Sequence, residues 1–250
     1  VLAEKGVILM DQYKMEIIPA IDLKGGKCVR LYQGDYSKET VFSEDPVATA
    51  LKWQEKGARR LHLVDLDGAA SGEVRNTRSI EDIVKNTSLA VELGGGIRRE
   101  DVVEQLIKLG VQRVILGTVA VEQSELTRRI IKRFGEAIVI GIDARDSYVT
   151  THGWQKISRI TAVALSSMMA GIGAKRIIYT DVKRDGTLTE PNFEATQELV
   201  NSLQIPVIAS GGISSVEHLK KLAAIGVEGA IIGKALYTGD VDLSEALAVA

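Results

Sequence analysis

One phrase occurs twice in this chain. "VELGGGIRRED" (Val91–Asp101) runs from an apolar stretch through glycines into the start of a helix, and "VIASGGISSVE" (Val207–Glu217) does the same. The match continues on both sides. Gly57-Ala58 corresponds to Gly173-Ala174, Asp65 to Asp181, Asn76 to Asn192, Gly95-Gly96-Ile97 to Gly211-Gly212-Ile213, Gly110 to Gly226 and Gly117 to Gly233, always at the same spacing (181 − 65 = 116). At the front, "IIPAID" (Ile17–Asp22) parallels "IVIGID" (Ile138–Asp143) at a larger spacing (143 − 22 = 121), so the first half carries extra residues in its first loop. A constant offset over this distance predicts two equivalent half-structures.

Each half alternates short apolar runs with amphipathic stretches. Strands are expected at Glu16–Ile21, Arg60–Val64, Leu89–Leu93, Arg113–Leu116, Ala137–Ile142, Arg176–Thr180, Pro206–Ala209 and Gly229–Ile232. Most are continuous Val/Ile/Leu runs, the composition of parallel strands covered on both faces. Helix ends are legible between them: Asp45-Pro46 as N-cap and first helical residue with Gly57 at the close, and Ser214 or Ser215 opening a helix that Gly226 ends. Eight strands alternating with helices predict a (β/α)8 TIM barrel built from two (β/α)4 halves, with a doubly wound open sheet as the alternative. With 250 residues, 45% of them hydrophobic, and no linker-like composition, residues 15–250 read as a single barrel domain. Val1–Lys14 reads as an N-terminal extension outside the barrel, and its "GVILM" block is too short for a signal-peptide core.

A glycine turn entering a helix exposes backbone N–H groups at the positive end of the helix dipole, a site for phosphate. In each half the Gly-Gly-Ile turn is expected beside the end of the next strand, so Gly95 and Gly96 join Gly117 and Thr118, and Gly211 and Gly212 join Gly233 and Lys234. Two such sites on opposite sides of the barrel mouth imply a small ligand with a phosphate at each end. Tight turns alone would also explain the glycines. The first strand of each half ends in an aspartate, Asp22 and Asp143, and paired carboxylates suit general acid–base chemistry. Trp154, in "THGWQ", either stacks on a planar ligand or anchors its loop.

Other chemistries lack their residues. With 31 basic and 33 acidic side chains the net charge is −2, which speaks against nucleic acid or an anionic membrane as partner. The three histidines have no metal-ligand spacing, no G-x-G-x-x-G follows a strand, and there is no Walker A phrase, so neither metal nor nucleotide cofactor is expected. "DLDG" after the second strand reads as a hydrogen-bonding turn. Cys28 is the sole cysteine, which suits a reducing cytoplasm.

"IPAIDLKGGKCVRLYQGD", "VDLDGA", "LGGGIR", "GIDARD", "HGW", "YTDVKRDGT", "ASGGI" and "GKALY" together resemble the phosphoribosylformimino-5-aminoimidazole carboxamide ribotide isomerases of histidine biosynthesis, from Met15 to the C-terminus. The resemblance implies a twofold-repeated barrel that performs an Amadori rearrangement without a cofactor, on a substrate with two phosphoribosyl groups. It implies Asp22 as proton acceptor and Asp143 as proton donor, with Thr180 and Asp185 near the reacting ribose and Asp185 a second candidate for acid–base work. It places Arg30 within reach of a phosphate or carboxamide and Trp154 on the imidazole or a folded-back part of the ligand. The long first, fifth and sixth loops are expected to close as lids. The cyclase subunit of imidazole glycerol phosphate synthase shares this plan, but it opens with a Cys-Leu-Asp-Val phrase where this chain has Ala20-Ile21-Asp22-Leu23. Bifunctional relatives that also act on phosphoribosylanthranilate carry arginine where this chain has His152. A non-catalytic ligand-binding barrel is the reading from a different class. A monomer is expected.

Overall fold

In the computed structural model, which describes residues 15–250, twelve strands form one sheet, and eight of them close into a parallel ring. The strands are β1 (Glu16–Lys24), β2 (Lys27–Tyr32), β3 (Asp35–Ser43), β4 (Arg60–Asp65), β5 (Ala90–Gly94), β6 (Arg113–Leu116), β7 (Ile138–Arg145), β8 (Tyr148–Thr151), β9 (Lys156–Thr161), β10 (Ile177–Asp181), β11 (Val207–Ser210) and β12 (Gly229–Ile232). The ring runs β1-β4-β5-β6-β7-β10-β11-β12 and closes where β12 pairs in parallel with β1. Helices lie between successive ring strands. This is the (β/α)8 barrel of two fourfold halves that the repeat predicts, and the open-sheet alternative falls with the β1–β12 pairing. The Val1–Lys14 extension lies outside the described residues.

Successive residues of each strand face opposite sides of the ring, which gives two cores. Outward residues such as Ile17, Ile21, Leu61, Leu63, Val91 and Leu93 pack with the helices. Inward residues Ile18, Ala20, Val139, Ile178, Ile208 and Ile231, with Ile115, fill the barrel. The helix signals hold locally: the Asp45 carboxylate accepts from the Ala48 amide at 2.9 Å with Pro46 first in the helix, and Ser215 caps the helix Val216–Ile225, which Gly226 ends at φ +89°. His218 falls in the first turn of that helix and meets Phe193 edge-on.

Two differences from the sequence expectation matter for the site. Strands β1 and β7 continue past Asp22 and Asp143, and the segments expected as loops after them are antiparallel hairpins, β1-β2-β3 and β7-β8-β9. Gly25 and Gly26, both at positive φ, make the two-residue turn between Lys24 and Lys27, the backbone that matches strand twist in tight hairpins. Asp146 and Ser147 do the same between Arg145 and Tyr148, at φ +52° and +68°.

The repeated Asp and Asn are braces rather than ligands. Asp65, fully buried, accepts from the amides of Gly68 (2.8 Å), Arg75 (2.6 Å) and Asn76 (2.9 Å) and from the Asn76 side chain (2.7 Å). This is the hydrogen-bonding turn expected of "DLDG". In the second half Asp181 accepts from the Lys183 amide (2.9 Å) and the Asn192 side chain (2.7 Å). Asp65→Ala strands three backbone donors, two of them buried, and is expected to cost about 3 kcal/mol or more, with Asp181→Ala costing less, since each orphaned buried group costs about 1–3 kcal/mol. Urea denaturation of the two variants measures both values, and equal losses would contradict the unequal bracing.

Candidate active site

Strands β1 and β7 stand four places apart in the ring of eight, on opposite walls. Their inward residues near the C-terminal rim are Asp22 and Asp143, both lining a cavity of about 210 Å³ at that rim. Thr180 sits beside Asp143 on the neighbouring β10, in direct register. Asp185 enters from the loop after β10. The four residues singled out for chemistry therefore meet in one cleft.

The surroundings of the two aspartates differ. Arg30 reaches from β2 to Asp22, Nη1 to Oδ2 at 2.9 Å, and its other terminal nitrogen lies 3.5 Å from Asp185. Asp143 instead accepts from the Trp154 indole N–H at 2.8 Å. Burial pushes both carboxyls above the ordinary carboxylate range. Arg30 opposes this at Asp22, and the donors Trp154 and Thr180 oppose it at Asp143. One carboxylate is thus paired with a full cation and the other with neutral donors, a difference that favours charge at Asp22.

The glycine turns lie on the two remaining sides. Gly95, Gly96, Gly117 and Thr118 follow the adjacent strands β5 and β6, while Gly211, Gly212, Gly233 and Lys234 follow β11 and β12, and all eight line the cavity. Gly96 and Gly212 have φ of +73° and +80°. A Cβ on Gly96 would stand 2.6 Å from the Gly68 carbonyl oxygen, and one on Gly211 would stand 2.9 Å from that of Asp181. Each pair is therefore also required by its turn, which packs on the preceding loop. Gly117 is different: its φ is −107° and the nearest atom to an added Cβ is 3.7 Å away.

Three loops interlock above the cleft. The Trp154 ring lies flat on Gly34, and the Gln33 amide donates to the Lys183 carbonyl at 2.6 Å. A Cβ on Gly186 would come within 2.8 Å of the Leu31 carbonyl oxygen. Trp154 sits in the turn between β8 and β9 at φ +69°, so it both anchors its loop and roofs the site. Lys234 donates to the Gly186 carbonyl at 3.0 Å, and the Thr118 hydroxyl accepts from the His152 amide at 2.9 Å. Arg30, expected in a loop and free to meet a ligand, is instead a buried strand residue whose guanidinium packs on the Gly233 backbone. Hairpin formation by β2 turns it inward. His152 does not line the cavity; its Nδ1 lies 3.6 Å from Glu122. Cys28 is buried away from the cavity, and burial pushes its thiol up to about 11, which disfavours the thiolate near neutral pH. No cluster of metal-ligating side chains occurs among the described residues.

Sequence reasoning passed over His62 and Glu92. Both point into the barrel, where His62 lines the cavity floor and Glu92 lies beneath it, fully buried. Their signal was charge: a histidine and a glutamate inside runs otherwise made of Leu, Val and Ile.

A twofold-repeated barrel whose rim carries opposed carboxylates between two glycine-turn pairs defines the class. The family described as "Histidine biosynthesis protein" matches residues 16–242, and the chain belongs to it. The chain is 56% identical over 236 residues to a 1-(5-phosphoribosyl)-5-((5-phosphoribosylamino)methylideneamino) imidazole-4-carboxamide isomerase of Chloroflexus aurantiacus, covering 94% of this chain and 98% of that one. It is 56% identical to the protein of the same name from Dehalococcoides mccartyi (93% and 98% covered) and 55% identical to that of Roseiflexus sp. (94% and 99% covered).

Because an added Cβ on Gly117 has room, Gly117→Asp tests the anion role without a clash, and Gly117→Ala is the control for its backbone at φ −107° and ψ −91°. Gly117→Asp is expected to weaken binding of ribose 5-phosphate at least about tenfold, since like charges at one site cost several kcal/mol, with the thermal midpoint unchanged. Titration calorimetry with the variants and the parent reads the effect; equal affinity would leave these glycines a role in the turns alone.

Proposed function

We propose that this chain is the aldose–ketose isomerase of histidine biosynthesis. It rearranges a substrate that carries two phosphoribosyl groups, with Asp22 as general base and Asp143 as general acid. The observation that carries this reading is the pair of carboxylates on opposite walls, between two backbone-amide turns that stand on the other two walls. A ligand phosphorylated at both ends spans the turns and places its reacting ribose between the aspartates. Gly95, Gly96, Gly117 and Thr118 hold one phosphate, and Gly211, Gly212, Gly233 and Lys234 the other.

The reaction is redox-neutral and moves only protons, so its demands match two carboxyls. Asp143 gives its proton to the ribose ring oxygen, and the ring opens to a Schiff base. Asp22 removes the proton from C2, leaving an enolamine. Protonation at C1 and loss of the hydroxyl proton at O2 complete the aminoketose. The unequal partners of the two aspartates support the assignment, because the base must be charged while the acid is not. Asp185, 3.5 Å from Arg30, stands close enough to share the acid role. Trp154 and the interlocked loops exclude water from an intermediate prone to hydrolysis. Entry of a bis-phosphorylated substrate requires Trp154 and Arg30 to swing aside, which frees Arg30 to meet the ligand. All these groups come from one chain, so a monomer suffices, and a cytoplasmic setting suits the free thiol of Cys28.

A second substrate is disfavoured. His152, at the place of the arginine that pairs with anthranilate in bifunctional relatives, turns toward Glu122 and away from the cavity.

Asp22→Asn and Asp143→Asn are each expected to lower turnover of the bis-phosphoribosyl aldose at least about 10²-fold, the usual range for a general acid or base. The circular dichroism spectrum should be unchanged. Retention of more than about a tenth of turnover by either variant would contradict its role. The parent is expected to show no turnover of phosphoribosylanthranilate in the same assay.

The turnover–pH profile is expected to be a bell. Activity falls with acid as Asp22 takes up a proton and falls with alkali as Asp143 loses one. Burial raises both groups, so both limbs stand above the ordinary carboxylate range of about 4. Arg30→Gln removes the cation that opposes the rise at Asp22, so its acid limb should move to higher pH while the alkaline limb stays. A shift in the opposite direction would contradict the Arg30–Asp22 pairing.

A further inference from the structure

The two halves of the barrel share a frame but differ at several inward positions, and one of these differences places polar residues where the other half has aliphatic ones. In the first half, His62 of β4 stands in register with Glu92 of β5. At the corresponding places of the second half, Ile178 of β10 stands in register with Ile208 of β11. The aliphatic pair shows that this part of the barrel packs well without charge. In the first half His62 Nδ1 meets Glu92 Oε1 at 2.8 Å, and Arg113 of β6 approaches the other carboxylate oxygen at 3.4 Å. Burying a carboxylate against an imidazole where two isoleucines fit sacrifices stability, because desolvation of the polar groups is not recovered in full. A role at the cavity accounts for it.

The geometry specifies that role. Burial alone would raise the Glu92 carboxyl, but the hydrogen bond from His62 and the charges of Arg113 and Arg60 outweigh it and hold Glu92 below the ordinary carboxylate range. A carboxylate only accepts hydrogen bonds, so the hydrogen between the two residues belongs to His62 Nδ1. That fixes the ring, and the only hydrogen bond of His62's side chain among the described residues is this one at Nδ1. His62 is 13% exposed, and it lines the cavity rather than bulk solvent. It lies on the strand next to that of Asp22, in register with Ala20, one inward position below the carboxylate. A ribose that presents its C2 proton to Asp22 therefore sets its C2 oxygen over His62.

We propose that His62 is a further substrate-contacting residue, whose Nε2 accepts a hydrogen bond from the C2 hydroxyl of the reacting ribose, and that Glu92, backed by Arg113, is its positioning residue. This rests on the isomerase reading above. The enolamine becomes a ketone only when O2 gives up its proton, as C1 gains one and the C2–O bond becomes double. An acceptor at O2 draws that proton off as the carbonyl forms. Asp22 returns the proton it took from C2 to C1, the His62 imidazolium releases the O2 proton to water as product leaves, and Asp143 takes one up from water, so the cycle is proton-neutral. The counterpart Ile178 cannot do this, and that gives the symmetric mouth a direction.

His62→Ala is expected to lower kcat about 10²-fold, as loss of a positioned proton acceptor does, with KM changed less than about threefold. Glu92→Gln, which keeps a hydrogen-bond acceptor for Nδ1 but removes the charge, should lower kcat by about tenfold. In the double variant the Glu92 effect should vanish, because Glu92 acts through His62. Additive losses, or full activity of His62→Ala, would overturn the proposal. Truncation of Glu92 leaves Arg113 unpaired and can fail to fold, so the parent also carries a direct test. With ¹⁵N-histidine label, the His62 Nε2 resonance should shift when the aminoketose product is added, and Nδ1 should keep its hydrogen throughout. A resonance that ignores saturating product would overturn the proposal equally. If the parent itself turns over none of the bis-phosphoribosyl aldose, the isomerase reading fails. If the parent is active and His62→Ala matches it, only the role of His62 fails.

Discussion

Glu16 to Pro19 pair in parallel with Gly229 to Ile232, and that contact turns an open sheet into a ring. Once the ring closes, strands four places apart must face each other. Asp22 and Asp143, equivalent by sequence, become opponents across one cleft, and the two glycine-turn pairs become its ends. In an open sheet the same residues would lie along one edge, too far apart to serve one molecule. The site therefore depends on a backbone pairing between the first strand and the last.

Duplication supplies the frame, and departures from it supply the chemistry. The Asp–Asn braces at Asp65/Asn76 and Asp181/Asn192 recur because each half must hold the loop on which its glycine turn packs. The glycines have positive φ values that let the chain pass close to that loop, and the same turns line the cavity. What does not recur is the charge around the carboxylates. Arg30, His62 and Glu92 cluster near Asp22, and the matching surroundings of Asp143 are Trp154, Thr180 and Ile178. A symmetric cleft with unequal sides can move a proton in a defined direction.

The two hairpins are equivalent in position and unequal in use. The first carries Arg30 on its middle strand and sends the guanidinium down to Asp22 and Gly233. The second carries Trp154 in its turn and sends the indole to Asp143. The Trp154 ring on Gly34 locks one hairpin to the other, with the loop of Asp185 against both. Opening any one of these loops loosens the other two, so substrate entry and the release of Arg30 and Trp154 are coupled.

By itself the sequence determined the repeat, the ring strands to within a few residues, the aspartate pair and the glycine turns. Each is a local signal: a period, an apolar run, or a residue type demanded by backbone conformation. The hairpin at Gly25-Gly26 was not read from the sequence, although paired glycines favour a tight reversal, because the strand-like run of β2 passes for a loop until it pairs with β1. Nor was the turn at Asp146-Ser147, because non-glycine residues hold positive φ there through the strands they join. Only the tertiary structure decided what each polar side chain faces. Arg30, His62 and Glu92 look like any polar residues within strands, and their partners lie on other strands or loops, at separations that follow no local period. Which residues share the inside of a barrel follows from register and closure, and neither is written in any single stretch of the chain.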